Sequence, residues 1–312
     1  MNGDLRVGLD IGATKVLGAV VDSGGTVVAR SRQDTRLGAE GVLATATAVL
    51  DSLTTALDGV LPAHIGIGVC GIVDRGAGAV SHAVNLGIGE WFPLAGRLAE
   101  RTGGTVLIEN DVLAATWGAH VVSGAGDLAY LSVGTGLAAG FVLSGKLRRG
   151  AHGAAAEVGH LPVEPDGPRC SCGQRGCLEL SASGSTLAAA WPADADADTG
   201  ADTGGRVPPA AALFAAAAAG NPEAVRIRDR FAGRLADAIR ILELSVGPDA
   251  IIIGGGVSQV GEPLLTAVAA ALHAQAEGSP FLTALDLAGR TRLLPGKQPV
   301  GAIGAALIGE AG

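Results

Sequence analysis

The chain has 312 residues, 48% of them hydrophobic, and carries a formal net charge of −8 at pH 7. Its length suffices for two separate cores, and a mean hydropathy of +0.40 excludes a disordered chain. A sequence pI near 5.2 removes the basic footprint that nucleic-acid phosphates require. No apolar run reaches the ~18 to 20 residues that span a bilayer, and the N-terminus carries an amphipathic strand pattern where a signal peptide would have an apolar core. The expectation is a cytoplasmic protein with neither nucleic acid nor membrane as partner, and with thiols kept reduced.

The first predicted element is a short apolar strand, Leu5 to Asp10, running into Asp10-Ile-Gly12-Ala-Thr14-Lys15. Strands over Val16 to Val21 and Thr26 to Ala29 follow, separated by the turn Asp22-Ser-Gly24-Gly25. Next comes Ile65-Gly-Ile-Gly-Val69, whose neighbour Cys70 reads as a lone buried thiol. Val106-Leu-Ile-Glu109 is an apolar strand feeding Asn110 and Asp111, then a helical run from Leu113 to Val122. Asn and Asp at such a junction serve as an N-cap, and a carboxylate at a strand end is also where a general base sits.

The opening pattern returns 122 residues later: a strand over Leu128 to Val133, the turn Gly134-Thr135-Gly136, a strand over Ala138 to Leu143, the turn Ser144-Gly145, and a third strand from Lys146. Leu9 matches Leu131, Gly12 matches Gly134, Gly18 matches Gly140 and Val20 matches Val142, which points to two related halves. Two glycine hairpins facing one cleft can hold a polyphosphate, since backbone N–H groups of tight turns approach anionic oxygens unobstructed. Thr14 and Thr135 add hydroxyl donors, and Asp10 is the acid suited to a phosphate-bound Mg2+. Neither turn has the Walker spacing.

One imidazole and three thiols, His160, Cys170, Cys172 and Cys177, then fall within eighteen positions, bracketed by Glu157 and Glu179. That donor set suits tetrahedral Zn2+, and four protein ligands leave no open position for metal-bound water, so the metal is expected to shape a loop. Residues 191–209 form an acidic low-complexity insertion; Asp194, Asp196 and Asp198 have calcium-loop spacing, but the glycine falls late at Gly200 and position twelve is Gly205, so a surface loop is expected. A long helix is predicted from Asn221 and Pro222, with Val225, Phe231, Leu235, Ile239 and Leu242 as its buried stripe. It leads to a buried strand ending in Gly254-Gly255-Gly256, where bare backbone would let an adenine lie flat.

Asp10-x-Gly-x-Thr-Lys15, Glu109-Asn-Asp111, Gly134-Thr-Gly136, Glu157-x-Gly-His160, Cys170-x-Cys-Gly-x-x-Gly-Cys-x-Glu179 and Gly254-Gly-Gly256 stand in one order and spacing, and with them the chain resembles the ROK family of sugar kinases, repressors and related open reading frames. The likeness runs from residue 5 to about 310. It implies an α/β actin-like ATPase (ribonuclease H-like) fold, with two domains around a central cleft and the helix Gly301 to Leu307 returning to the first domain. Expected domains are 1–112 with about 298–312, and 113–297.

The resemblance also implies chemistry. Asp111 resembles the general base that takes the proton of a sugar 6-hydroxyl. Asn110, Glu157, His160 and Glu179 resemble the hydrogen-bonding ring around the other hydroxyls, and Asn85 resembles a sugar-proximal loop residue. His160 would bind zinc through one ring nitrogen and meet a hydroxyl with the other. ATP with Mg2+ would lie on Asp10, Gly12, Thr14, Lys15, Gly134, Thr135, Gly136, Gly254, Gly255 and Gly256. The implied activity is a hexose 6-kinase acting on glucose, with an aminohexose or N-acetylhexosamine as the alternative, in a homodimer or homotetramer. A sugar-responsive regulator fits less well, since only four residues precede the first strand, where the family's repressors carry a helix-turn-helix. Leu137-Ala-Ala-Gly140, Leu113, Ala119 and Val69-Cys-Gly-Ile-Val73 depart from the family pattern and bear on which sugar is taken.

Overall fold

A computed structural model describes residues 5–151, 155–192, 207–294, 296 and 298–312. The calcium-like aspartates Asp194, Asp196 and Asp198 lie outside the described residues. The chain divides into two compact units, one of residues 1–127, 140–155 and 298–312, the other of residues 128–139 and 156–297.

In the first unit the strands are β1 (Arg6–Ile11), β2 (Lys15–Val21), β3 (Val27–Asp34), β4 (His64–Val69), β5 (Ile72–Asp74), β6 (Ala79–Ser81) and β7 (Thr105–Asn110). The helices are α1 (Ala39–Ala56), α2 (Leu94–Thr102), α3 (Asp111–Ser123) and, from the end of the chain, α11 (Val300–Ala306). The sheet order is β3-β2-β1-β4-β7, antiparallel through β3, β2 and β1 and parallel from β1 to β7. On one face α1 buries Val42, Leu43, Ala46, Val49, Leu50 and Leu53, spaced as one helical stripe, in a core with Leu9, Ile65 and Ile67. Deleting one such leucine costs about 2–5 kcal/mol.

The other face is built differently. Helix α11 is buried at all seven residues, most of them Gly or Ala. A Cβ on Gly8 would overlap the carbonyl oxygen of Ala302, one on Gly66 that of Ala305, one on Gly304 that of Ala114, and one on Gly118 that of Val300. Two helices and two strands thus meet backbone to backbone, held by close van der Waals contact with little side-chain volume between them. The indole N–H of Trp117 completes the seam by donating to the Leu307 carbonyl at 3.0 Å. This packing places α3 in the first unit, whereas the sequence reading ended that domain at residue 112.

The second unit holds β8 (Leu128–Val133), the start of β9 (Leu137–Leu143), α4 (Glu179–Ala182), α5 (Gly184–Ala190), α6 (Pro209–Ala218), α7 (Pro222–Val246), β11 (Ala250–Gly254), α8 (Glu262–Ala276), α9 (Pro280–Leu285), α10 (Leu287–Arg290) and β12 (Thr291–Leu293). From Gly140 onward β9, with β10 (Lys146–Arg148) antiparallel to it, belongs to the first unit. Strands β8, β11 and β12 are parallel in that order. The Asn221 side chain caps α7 by accepting from the N–H groups of Glu223 and Ala224 at 3.0 and 3.1 Å, and Gly247, at φ 64°, ends the helix. The buried stripe begins at Ala224 and Ile227; Val225 is only half-buried.

The internal repeat is exact in its strands. Adding 122 to the limits of β1 and β2 gives those of β8 and β9. Gly18 and Gly140 correspond, and each admits a helix: a Cβ on Gly18 would strike Val49 of α1, one on Gly140 the Thr116 hydroxyl of α3. The third strands differ. β3 runs to Asp34, past the expected end at Ala29, because an edge strand with exposed Arg30, Arg32 and Asp34 has no apolar alternation to read.

Candidate functional site

In the first unit three parallel strands end level with one another: Ile11 pairs with Val69, and Val69 with Asn110. Carboxyl ends of parallel strands are where α/β sheets bind ligands. Asp10, Cys70 and Asp111 stand at this edge. Asp10 and Asp111 are close enough to couple: burial, then the Asp111 charge, push the Asp10 carboxyl up to about 6, against the pull of Lys15. The same burial and the same two carboxylates push the Cys70 thiol up to about 11, which keeps it neutral and unreactive.

Asp111 is the first residue of α3, where the helix dipole favours a negative charge. Asn110 is its N-cap, the Oδ1 accepting from the N–H groups of Val112 and Leu113 at 2.9 and 3.2 Å. The cap uses the carbonyl end of the amide, leaving the NH2 end to donate to a ligand. Ahead of these two, Glu109 is buried and paired with Arg149 and Arg75. The turn beyond β1 is closed by the Gly12 N–H donating to the Lys15 carbonyl at 3.0 Å. Thr35, at the end of β3, braces it: its hydroxyl donates to the Gly12 carbonyl at 2.7 Å and its N–H to that of Thr14 at 3.1 Å. Gly301, in the first turn of α11, lies against the Asp10 carboxylate, and a Cβ there would displace it. Asn85 sits exposed on the turn Val84–Leu86, which is anchored by buried Leu86 and by the Gly38 N–H donating to the Leu86 carbonyl at 2.7 Å.

In the second unit the four predicted metal ligands converge. One donor atom from each of His160, Cys170, Cys172 and Cys177 lies within 4.8 Å of the others, the spread expected around Zn–S bonds of about 2.3 Å. The donor chemistry and this spacing fit Zn2+. His160 turns Nδ1 toward Cys170 Sγ, 3.6 Å away, which leaves Nε2 for another partner. Backbone bonds close the knuckle on itself: Cys170 N–H donates to the Gln174 carbonyl at 2.8 Å, Gly176 N–H to that of Pro168 at 2.9 Å, and Leu178 N–H to that of Leu161 at 2.9 Å. The backbone N–H of Gln174 pulls the exposed Cys172 thiol down to about 6, while desolvation and then its Cys172 neighbour push the Cys177 thiol up. Glu164, in the same loop, is clamped by Arg234 and Arg230 of α7.

Glu179 joins this knuckle to the second hairpin. Its Oε1 is 3.3 Å from Cys170 Sγ and 3.6 Å from His160 Nδ1, and its Oε2 would touch a Cβ on Gly136 at 3.0 Å. The hairpin turn is closed by the Gly134 N–H donating to the Gly136 carbonyl at 3.0 Å. It is braced by the Gly184 N–H, which donates to the Gly134 carbonyl at 2.7 Å. Glu157 is exposed and follows Ala156, whose φ of 65° is unusual for a residue with a side chain and marks local strain. The glycine triplet divides by role. A Cβ on Gly254 would overlap the Tyr130 ring and one on Gly255 the Val133 backbone, whereas Gly256 faces open space. Only Gly256 of the three leaves room for a ligand. A cavity of about 520 Å³, lined by Arg240, His273, Gln275, Leu282 and Leu287 among others, contains none of the predicted site residues.

The sequence reading gave no role to Glu109, Arg149, Ala156, Glu164 or Gly301. The first two had a usable signal, a charged residue inside an apolar strand and an arginine beside a glycine; the others act only through their neighbours in space. Among the described residues no helix is long and apolar enough to cross a membrane.

A family model described as "ROK family" matches residues 6–310. The glucokinase of Streptomyces coelicolor is 34% identical over 284 residues, which is 84% of each chain. An N-acetylmannosamine kinase of Citrobacter koseri is 34% identical over 261 residues, 80% of this chain and 82% of that one. The crystal structure of a ROK family glucokinase from Streptomyces griseus, in complex with glucose and AMPPNP, superimposes with a TM-score of 0.80 at 30% identity, covering 97% of this chain and 98% of that chain.

Proposed function

Because the chain belongs to the ROK family, we propose that it transfers the terminal phosphoryl group of ATP to the 6-hydroxyl of a hexose, with glucose as the substrate. The observation that carries this reading is Asp111 at the head of α3, coupled to Asp10 across level strand ends. In the reaction the Asp111 carboxylate accepts the hydroxyl proton while the sugar oxygen bonds to the γ-phosphorus and the bond to the bridging oxygen breaks, releasing ADP. Asn110 offers its amide NH2, and Glu157 and the Nε2 side of His160 offer further partners for sugar hydroxyls.

The hairpin turns at Gly12, Thr14 and Lys15 and at Gly134, Thr135 and Gly136 would carry the phosphates, with Gly256 beside the adenosine. Asp10 would hold Mg2+, which supplies positive charge to the phosphate oxygens. His160, Cys170, Cys172 and Cys177 would hold Zn2+ as a closed structural site that fixes the His160 ring. The aminohexose reading is weaker, since the glucokinase relative aligns over 84% of the chain and the N-acetylmannosamine kinase over 80%.

Incubation of the purified protein with Mg-ATP and a panel of hexoses is expected to yield the 6-phosphate of glucose; no product from any sugar overturns the reading. Asp111→Asn should abolish turnover and leave sugar affinity within about tenfold, because the base acts on the transferring proton. Retained turnover in that variant removes Asp111 from the role.

A further inference from the structure

Strand β7 is the outer strand of its sheet, so the N–H groups on its free side have no ladder partner. At the end of this strand the Asn110 N–H is taken by a side chain, donating to Glu109 Oε1 at 3.1 Å. Glu109 is 2% exposed, and a buried carboxylate persists only with strong partners. Its Oε2 receives the Nε–H of Arg149 at 2.7 Å and faces the Nε of Arg75 at 3.2 Å. Arg149 is fixed in turn, its Nη1 donating to the Gly312 carbonyl at 2.8 Å. Both oxygens of Glu109 are therefore committed, one to the backbone of the residue before Asp111 and the other to two guanidinium groups.

We infer that Glu109, held by Arg149, is a positioning residue for the phosphoryl transfer: it fixes the Asn110–Asp111 strand end so that the Asp111 carboxylate is presented in one direction. This rests on the assignment of Asp111 as the base. A buried ion pair stabilises a fold poorly, since desolvation offsets its Coulomb attraction; what it supplies at this place is geometry. Asn110 turns from extended backbone (φ −61°, ψ 142°) into the helix that Asp111 opens, so a slip of its N–H re-aims the base directly. A misplacement of about 1 Å at a reacting group can cost on the order of 10²-fold in rate. Arg149 also stands eight residues before Glu157 in the chain, at the start of the segment that leads to the predicted sugar ligands.

The test is steady-state kinetics of the full chain. Glu109→Gln keeps the shape and an acceptor for the Asn110 N–H while releasing both guanidinium groups. We expect kcat to fall about 10- to 100-fold, with hexose KM within about threefold, on the scale of a misaimed catalytic group. Arg149→Met should match it, Arg149→Lys should recover part of kcat, and Glu109→Gln/Arg149→Met should be no worse than either single variant, because the pair acts as a unit. The double variant leaves neither partner of this pair unmatched, so it keeps the test open if Glu109→Gln melts early. Folded Glu109→Gln with wild-type kcat overturns the inference. So does a loss that falls equally on kcat, both KM values and melting temperature, the mark of a merely structural role. Asp111→Asn run in parallel separates the two readings. An inactive Asp111→Asn beside a normal Glu109→Gln sinks only this inference, and an active Asp111→Asn sinks the base assignment and this inference with it.

Discussion

The two glycine hairpins share their strand limits, offset by 122 residues, and little else. The first carries charge: Asp10 and Lys15 flank its turn, Asp111 stands near, and Thr35 braces it from a neighbouring strand. The turn of the second, Gly134 to Gly136, carries no ionisable side chain; it is braced from outside by Gly184 and flanked by Glu179, which also touches the Cys170 knuckle. One backbone pattern is thus built in two ways. The first hairpin is distinguished by what its side chains carry, the second by what holds its main chain in place.

The largest effect should come from the charged hairpin. Asp10→Asn is expected to lower kcat/KM by at least about 10²-fold, the scale of removing one electrostatic stabiliser. The same variant should melt at a higher temperature at pH 7. Folding raises the Asp10 carboxyl from 3.8 to about 6, so the native state binds the extra proton. Stability from this group therefore falls as pH rises from about 4 to about 6 and is constant above, and the asparagine removes that loss. Mg-ATP affinity should weaken as pH drops through 6 in the wild type, as the carboxylate protonates, and this dependence should vanish in Asp10→Asn. Calorimetric titrations and melts from pH 4 to 8 check both. A variant that is active, or less stable than the wild type at pH 7, would remove the charge from the first hairpin's function.

The second hairpin should respond to its supports. Metal removal by a chelator is expected to raise hexose KM about tenfold or more, as for loss of groups that orient a ligand, with the far-UV spectrum unchanged. The knuckle retains its own backbone bonds and the Glu164 clamp on α7, so the loss stays local. Unchanged KM in verified metal-free protein would separate the knuckle from the sugar site. Gly136→Ala is milder: its Cβ meets Glu179 Oε2 at 3.0 Å, and a flexible carboxylate can give way, so KM values should rise several-fold without loss of melting temperature. Gly256→Ala should be mildest for the fold, since its Cβ enters open space, and any rise in ATP KM at constant melting temperature would locate the adenosine there. Gly254→Ala offers the contrast, because it strikes Tyr130 and should destabilise the protein.

The sequence by itself determined the elements whose cause is local. The repeated hairpins are legible because a glycine turn between apolar strands is written in neighbouring residues, and α7 because its cap, Pro222 and Gly247 stand at its ends. The candidate metal set is legible because its four donors lie within one short segment with a fixed chemistry. Tertiary structure alone decided the rest. The seam of α11 on Gly8, Gly66 and Gly118 depends on absent side chains facing a helix far along the chain, and the edge strand β3 shows no apolar alternation past Ala29 because none of its residues is fully buried. The burial of Glu109 between Arg149 and Arg75, the pressure of Asp111 on Asp10, and the split of Gly254 and Gly255 from Gly256 are facts of distance between remote residues. A carboxylate's environment, unlike a turn's backbone preference, is made by what folding brings beside it.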